Sequence, residues 1–248
     1  MTARVTGRSP APVGYAQAHA SLTAAQKPAR GVSLYSSRVN RPLGRRLAAL
    51  AYVLGLSPNA VTLLSGAVSA AGALALALVE PSWPLGVAVA LALALGFALD
   101  AADGQLARLT ARTGPAGEWL DHVVDAAVKL LLHGCVAVAW YRFEDRGAGL
   151  LLPLGFAAAA VLLFVAGTLA ELLLRGRPGA AAAPPRPAST ASGLLLLPAD
   201  FGATALVFLL WGAQDAFAVV YAALLACYAM LLVGLGARWF RQLSGGPG

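Results

Sequence analysis

Six long apolar runs occupy most of this chain, and they restrict its fold more than any other feature. The runs lie near residues 58–79, 83–106, 118–140, 149–174, 194–213 and 215–237. Most hold about 20 residues or slightly more, enough for an α-helix to cross a hydrocarbon core of about 30 Å. The chain is 59% hydrophobic and 12% charged, outside the range of soluble globular domains. We therefore expect an all-α membrane protein with six transmembrane helices, in which the boundary between the fifth and sixth is the least distinct.

The segments outside these runs differ from one another in composition. Residues 1–32 are small and polar, without the apolar core of a signal peptide, and predict a disordered cytoplasmic tail. Residues 33–55 alternate basic and apolar positions, which predicts an amphipathic helix lying at the membrane interface. An ordinary basic flank of the first span is an equally compatible interpretation. The six spans form one domain over 56–241, with a low-complexity loop at 176–193 and a C-terminal tail at 242–248.

The distribution of cations predicts the orientation in the membrane. With these spans, fifteen of the eighteen Lys and Arg residues fall on the side that holds both termini. The positive-inside rule makes that side cytoplasmic. The net charge of +7 does not indicate nucleic acid binding, because the cations collect beside apolar spans instead of on a soluble face. The Ala, Gly and Arg bias is typical of a bacterium with a GC-rich genome, so we expect a multi-pass protein of the bacterial inner membrane.

Four carboxylates meet at the cytoplasmic edge between the second and third runs. Asp100 and Asp103 end one run, and Asp121 and Asp125 open the next. These four are a large share of the chain's eleven acidic residues. Spacings of three and four residues put each pair on one helix face. Two helices that face each other would therefore bring all four carboxylates together.

Carboxylates at the mouth of a bilayer require a cation to offset them, or they take up protons. Mg²⁺ and Mn²⁺ prefer oxygen ligands and recruit phosphate oxygens as further ligands. Two such ions would bind a pyrophosphate and stabilise the leaving oxygen of a displacement. Gly104 permits close approach of a ligand to the backbone, and Arg108 offers a planar fork to phosphate oxygens. The segment therefore predicts a phosphate ester as substrate.

The residues of this segment match a known signature, D-x-x-D-G-x-x-A-R-x8-G-x-x-x-D-x-x-x-D. Its eight fixed positions are Asp100, Asp103, Gly104, Ala107, Arg108, Gly117, Asp121 and Asp125. The chain thereby resembles the CDP-alcohol phosphotransferases, sharply over residues 56–125 and in architecture beyond them. A chance match at a given start is on the order of 10⁻¹⁰ at ordinary residue usage. A merely solvated loop would explain the acidity between two helices but not this spacing.

The resemblance implies an enzyme that transfers a phosphoryl-alcohol group from a CDP-alcohol, usually CDP-diacylglycerol, to the hydroxyl of a second, small alcohol, with release of CMP. It implies two divalent ions, Mg²⁺ or Mn²⁺, held by Asp100, Asp103, Asp121 and Asp125. Asp125 would also accept the proton of the attacking hydroxyl, as the catalytic base. Members of this family are phospholipid-synthesising homodimers with six transmembrane helices.

The resemblance also implies positions that bind the CDP-alcohol. Gly104 and Arg108 would hold the diphosphate, and Asn59 and Thr62 in the segment PNAVT would contact the nucleotide. Many relatives place Ser or Thr three residues before Gly117; this chain has a glycine there, and Thr113 is the substitute.

The acceptor and the reaction leave alternatives open. Arg175 and Arg177 would hold a phosphate on the acceptor, or Arg175 forms an ordinary helix ion pair with Glu171. Lys129 either pairs with an aspartate of the cluster, which we favour, or extends toward the membrane edge. Transfer from a soluble CDP-alcohol to a lipid or polyol acceptor is a rival reaction, and a non-enzymatic cation-binding membrane protein is a rival function.

Overall fold

The protein is described here by a computed structural model, which covers residues 14–25, 33–176 and 190–245. Within these ranges it consists of helices joined by short connections and contains no strand. The α-helices are α1 (Tyr15–Ala24), α2 (Arg41–Val53), α3 (Pro58–Leu78), α4 (Trp83–Leu109), α5 (Pro115–Phe143), α6 (Leu151–Arg175), α7 (Thr190–Leu195), α8 (Phe201–Val207) and α9 (Gln214–Ser244). The predicted all-α class is confirmed.

Five helical segments of the described chain are long and apolar enough to cross a membrane. They are α3, α4, α5, the segment Gly147–Arg175 that joins a 3₁₀ turn to α6, and α9. Large apolar side chains cover the outward faces of these helices, as expected of surfaces that meet lipid. The protein is therefore a multi-pass membrane protein.

The predicted fifth span, 194–213, is not one continuous helix. The chain passes through α7, a 3₁₀ turn at Leu197–Ala199, α8 and a second 3₁₀ turn at Phe208–Leu210. Pro198 lies in the first turn, and Asp200 caps α8 by accepting a 2.8 Å hydrogen bond from the Gly202 amide. A proline and a side-chain cap within a few residues end one helix and begin another.

Asp200 also joins this broken segment to the start of the interfacial region. Its carboxylate accepts hydrogen bonds from the hydroxyls of Ser33 and, at 2.5 Å, Ser36. Burial and the nearby Asp200 carboxylate raise the pKa of Tyr35. Asp200 is therefore fully engaged as a structural anchor.

The N-terminal segment differs from its prediction. Instead of a disordered tail through residue 32, the structure has helix α1, whose Ala18 and Leu22 are buried in one cluster with residues of α2, α3 and α4. Tertiary burial stabilises this helix, because its sequence carries little amphipathic pattern. The rest of the predicted tail, like most of the predicted loop 176–193, lies outside the described residues.

The helix predicted over residues 33–55 is present. A π-helical turn at Ser36–Asn40 leads into α2, which ends at Val53. Its inner face packs on α4 so closely that a β-carbon at Gly44 would lie 2.8 Å from the Ala101 β-carbon. Its outer face exposes Leu43 and Leu50. Its position at the membrane interface remains a prediction.

The long helices pack side by side and place the acidic segment at one end of the bundle. Helix α4 contacts α2, α3 and α8, while α5 contacts α3 and α6, and α6 contacts α9. A buried aromatic core that includes Trp140, Trp211 and Phe217 fills the opposite end. That core is well separated along the chain from the acidic end of α4 and α5.

Candidate active site

A short connection brings the acidic ends of α4 and α5 together. Helix α4 closes with Ala111 in the left-handed region at φ 54°, and the Arg112 amide donates a 2.9 Å hydrogen bond back to the Ala107 carbonyl. Gly114 is extended, and Pro115 occupies the first turn of α5, a position that suits its fixed φ. The chain therefore reverses between α4 and α5, which both pack on α3, and their acidic segments lie at the same end of the bundle.

Three of the four predicted carboxylates converge. One oxygen from each of Asp100, Asp103 and Asp121 lies within 4.8 Å of the others. Asp103 is buried, with 6% of its surface exposed, and it accepts a 2.5 Å hydrogen bond from the Thr62 hydroxyl. Clustered carboxylates repel one another in a medium of low dielectric constant, so a cation is needed to hold them ionised. The set consists of hard oxygen donors, which fits Mg²⁺ or Mn²⁺.

Asp125 does not belong to this converging group. Its carboxylate lies 3.0 Å from the Lys129 ammonium, one helical turn deeper in α5. The expected pairing of Lys129 with an aspartate is thus confirmed. The charge of Asp125 also acts on the neighbouring Asp100 and Asp121, so a role for Asp125 as a further metal ligand stays a prediction.

A cavity of about 590 Å³ opens beside the three carboxylates. All five positions predicted to bind the CDP-alcohol line it, namely Asn59, Thr62, Gly104, Arg108 and Thr113. They come from α3, the end of α4 and the connection before α5. The structure thus gathers side chains that are up to 54 positions apart in the sequence.

Two glycines of the signature keep this cavity open. A β-carbon at Gly117 would lie 3.4 Å from the Asn59 side-chain oxygen, and one at Gly104 would lie 3.5 Å from a guanidinium nitrogen of Arg108. Larger side chains at either position would therefore project toward the groups expected to bind substrate. The absence of side chains here leaves room for a ligand.

Arg175 reaches the same cavity from the end of α6. Its guanidinium pairs with Glu118 at 2.9 Å and with Glu171 at 2.5 Å, so the predicted helix ion pair is confirmed. Its side chain is still 55% exposed, which leaves it accessible to a ligand. Arg177, the other residue predicted to bind the acceptor, lies outside the described residues.

Sequence reasoning gave no site role to Arg112, which also lines the cavity. The signal was a second cation four residues after Arg108, in a segment otherwise rich in acids.

A neighbouring cavity of about 410 Å³ is lined by Arg108 together with Arg41 and Gln105. Burial lowers the pKa of Arg41, although a guanidinium stays charged at neutral pH. Arg108 therefore stands between two cavities.

The sequence matches the family model of the CDP-alcohol phosphatidyltransferases over residues 55–233. The chain belongs to the CDP-alcohol phosphatidyltransferase family. The match includes the carboxylate cluster and the main cavity, together with α3 to α8. No curated protein matches the sequence.

Twelve chains of solved structures match this member of the CDP-alcohol phosphatidyltransferase family. One is the phosphatidylinositol phosphate synthase of Mycobacterium tuberculosis, solved with CDP-DAG bound. The TM-score is 0.56 at 21% sequence identity, and the alignment covers 85% of this chain and 96% of the synthase chain. At this identity the similarity establishes a shared fold.

Proposed function

We propose that this protein transfers a phosphatidyl group from CDP-diacylglycerol to the hydroxyl of a small alcohol, releasing CMP, in phospholipid synthesis. The observation that carries the proposal is the cavity beside Asp100, Asp103 and Asp121, into which Arg108 also projects. Family membership supports the reaction class. The CDP-DAG in the related synthase structure supports the choice of donor.

The proposed reaction is a substitution at phosphorus. The acceptor hydroxyl oxygen forms a bond to the phosphorus that carries diacylglycerol. The bond between that phosphorus and the oxygen bridging to the cytidylyl phosphorus breaks, and CMP leaves with the electron pair. Asp125 accepts the hydroxyl proton as general base. In the structure its partner is Lys129, so Asp125 must turn from that lysine toward the acceptor.

Asp100, Asp103 and Asp121, joined by Asp125, would hold two Mg²⁺ or Mn²⁺ ions. When bound, such ions neutralise the diphosphate and stabilise the negative charge of the leaving oxygen. Thr62 orients Asp103 through its hydrogen bond, which keeps the carboxylate aimed at the cluster. The donor set and its spacing support this assignment.

The remaining site residues bind and orient the substrates. Arg108 and the open backbone at Gly104 receive the diphosphate, while Asn59, Thr62 and Thr113 line the nucleotide side of the cavity. Arg175, assisted by Arg177, holds a phosphate on the acceptor. We further infer a homodimer, as the family resemblance implies, in a bacterial inner membrane. The cation distribution supports placing the cavity and both termini on the cytoplasmic side.

The test is CMP release by purified protein with CDP-diacylglycerol and Mg²⁺. The acceptor panel is glycerol 3-phosphate, inositol phosphate, inositol, serine and no alcohol. We expect release with one acceptor, its loss in EDTA, and its return with Mg²⁺. Activity with a soluble CDP-alcohol and a lipid acceptor instead would establish the rival reaction, and silence with every donor and acceptor would contradict enzymatic function.

A further inference from the structure

Ionisable residues recur every fourth position along one face of α5. Asp121, Asp125, Lys129 and His133 follow one another at this spacing, starting at the cavity and ending among buried aromatic side chains. Residues four apart lie one above the other on a helix. Lys129 is therefore placed between the carboxylates of the site and the apolar interior.

The surroundings of Lys129 hold its ammonium against Asp125. The side chain is 17% exposed, and the nitrogen lies 3.0 Å from the Asp125 carboxylate oxygen. It also lies 4.3 Å from the centroid of the Phe164 ring and 5.7 Å from that of Phe201. Aromatic faces attract a cation and cover it from solvent. An aspartate four residues before a lysine is also the favourable order on a helix.

His133 does not compete for Asp125, because it is committed elsewhere. It is 2% exposed, its Nδ1 shares a 2.6 Å hydrogen bond with the Tyr221 hydroxyl, and its ring stacks on Phe156 at 4.1 Å. Among the described residues, Asp125 is the one acid that forms an ion pair with Lys129. The lysine and Asp125 thus form an ion pair next to the three-carboxylate cluster, and their charges also act on Asp100 and Asp121.

We propose that Lys129 is a positioning residue that holds the Asp125 carboxylate in an ion pair and competes with a divalent ion for it. The inference rests on the proposed metal site and adds an order of affinity to it. An ion bound by the three converging carboxylates need not displace the ammonium, because in the described residues Lys129 forms its ion pair with Asp125. An ion that uses Asp125 must displace the ammonium or bind beside it, and either event weakens its binding.

This arrangement also gives Lys129 a role before the metals bind. The ammonium offsets the Asp125 charge, so one of the four carboxylates is already balanced in the protein itself. The three remaining carboxylates are left as the first site. The ion that engages Asp125 therefore binds second and more weakly than the first.

The experiment is a Mn²⁺ titration of full-length protein in detergent, without nucleotide, read from the electron paramagnetic resonance signal of free Mn²⁺. The variants are Lys129→Met, which removes the charge but keeps most of the side-chain length, and Lys129→Arg, which keeps a cation. Each is compared with wild type, and Lys129→Met is repeated in an Asp125→Asn background. Size-exclusion chromatography verifies that each variant is folded.

We expect wild type to bind one Mn²⁺ tightly and a second weakly. Lys129→Met should tighten the second site roughly tenfold or more, because it removes a positive charge next to the ion. Lys129→Arg should retain the weak second site. In the Asp125→Asn background, Lys129→Met should change Mn²⁺ binding less than about twofold, since the lysine acts through that carboxylate.

The inference is overturned if Lys129→Met leaves the second Mn²⁺ unchanged or weakens it, or if the tightening persists without the Asp125 carboxylate. Failure of wild type to bind any Mn²⁺ would overturn the metal site together with this inference. CMP release, measured in parallel, separates the two levels: an active enzyme whose Mn²⁺ binding ignores Lys129 refutes the inference and leaves the proposed reaction standing.

Discussion

Replacing Thr62 with valine tests whether the cluster binds its metal through an oriented Asp103. The two side chains have nearly the same shape, but valine cannot donate the 2.5 Å hydrogen bond that the Thr62 hydroxyl gives to Asp103. Thr62 is 3% exposed, so water cannot readily take the place of the lost donor. The substitution therefore removes one interaction from a buried carboxylate and leaves the packing almost unchanged.

The expected magnitude follows from the charge of the acceptor. A hydrogen bond to a charged group contributes about 1.5–3 kcal/mol, and a tenfold change in an equilibrium constant corresponds to about 1.4 kcal/mol. Loss of a side chain that orients a metal ligand reduces metal affinity by about 10–100-fold. We therefore expect Thr62→Val to raise the Mg²⁺ concentration for half-maximal CMP release by roughly 10–100-fold.

The assay is CMP release as a function of Mg²⁺ concentration, at saturating donor and acceptor. Thr62→Ser is the matched control: it keeps the hydroxyl and should need nearly the wild-type Mg²⁺ concentration. Equal Mg²⁺ requirements for wild type and Thr62→Val would show that the Thr62 hydroxyl does not orient Asp103 for metal binding. A change in the requirement for the CDP-alcohol alone would instead assign Thr62 to nucleotide binding.

Two further substitutions test the packing and the acceptor side. A β-carbon at Gly96 would collide with the Ser69 hydroxyl, and it would lie 3.0 Å from the Ser65 carbonyl oxygen and 3.2 Å from the Ser69 β-carbon. Gly96→Ala should therefore force α3 and α4 apart and lower the midpoint of thermal unfolding by several degrees, a loss of about 1–3 kcal/mol. Gly134→Ala is the control, since a β-carbon there would meet no atom of the other described segments within 4 Å, and equal midpoints would contradict the close packing. Arg175→Gln should raise the KM for a phosphorylated acceptor roughly tenfold, because a charge-assisted hydrogen bond to the phosphate is lost. The KM for the donor should be unchanged. Unaltered acceptor kinetics would show that Arg175 only forms its ion pairs with Glu118 and Glu171.

The sequence predicts α3 to α6 and the meeting of the three carboxylates because both depend on strong local patterns. Long apolar runs require membrane-crossing helices, and spacings of three and four place side chains on one helix face. The short connection after Ala111 then holds the acidic segments of α4 and α5 at the same end of the bundle. Asp100, Asp103 and Asp121 are therefore found where their spacing indicates.

The differences arise where long-range contacts outweigh local pattern. Helix α1 depends on burial of Ala18 and Leu22 against distant helices, which composition does not reveal. Hydropathy over the predicted fifth span is insensitive to the break around Pro198 and to the capping role of Asp200. The spacing of Asp125 suits a metal ligand and a partner for Lys129 equally well, and the structure adds that the ion pair with Lys129 forms.

The most direct test of the central claim is CMP release from CDP-diacylglycerol and Mg²⁺ by wild type and Asp125→Asn, side by side, with the acceptor that the panel identifies. We predict release by wild type and its abolition in Asp125→Asn, with both proteins eluting as the same folded species. Normal turnover by Asp125→Asn would contradict the assignment of the base. Absence of CMP release by wild type would contradict the proposed reaction itself.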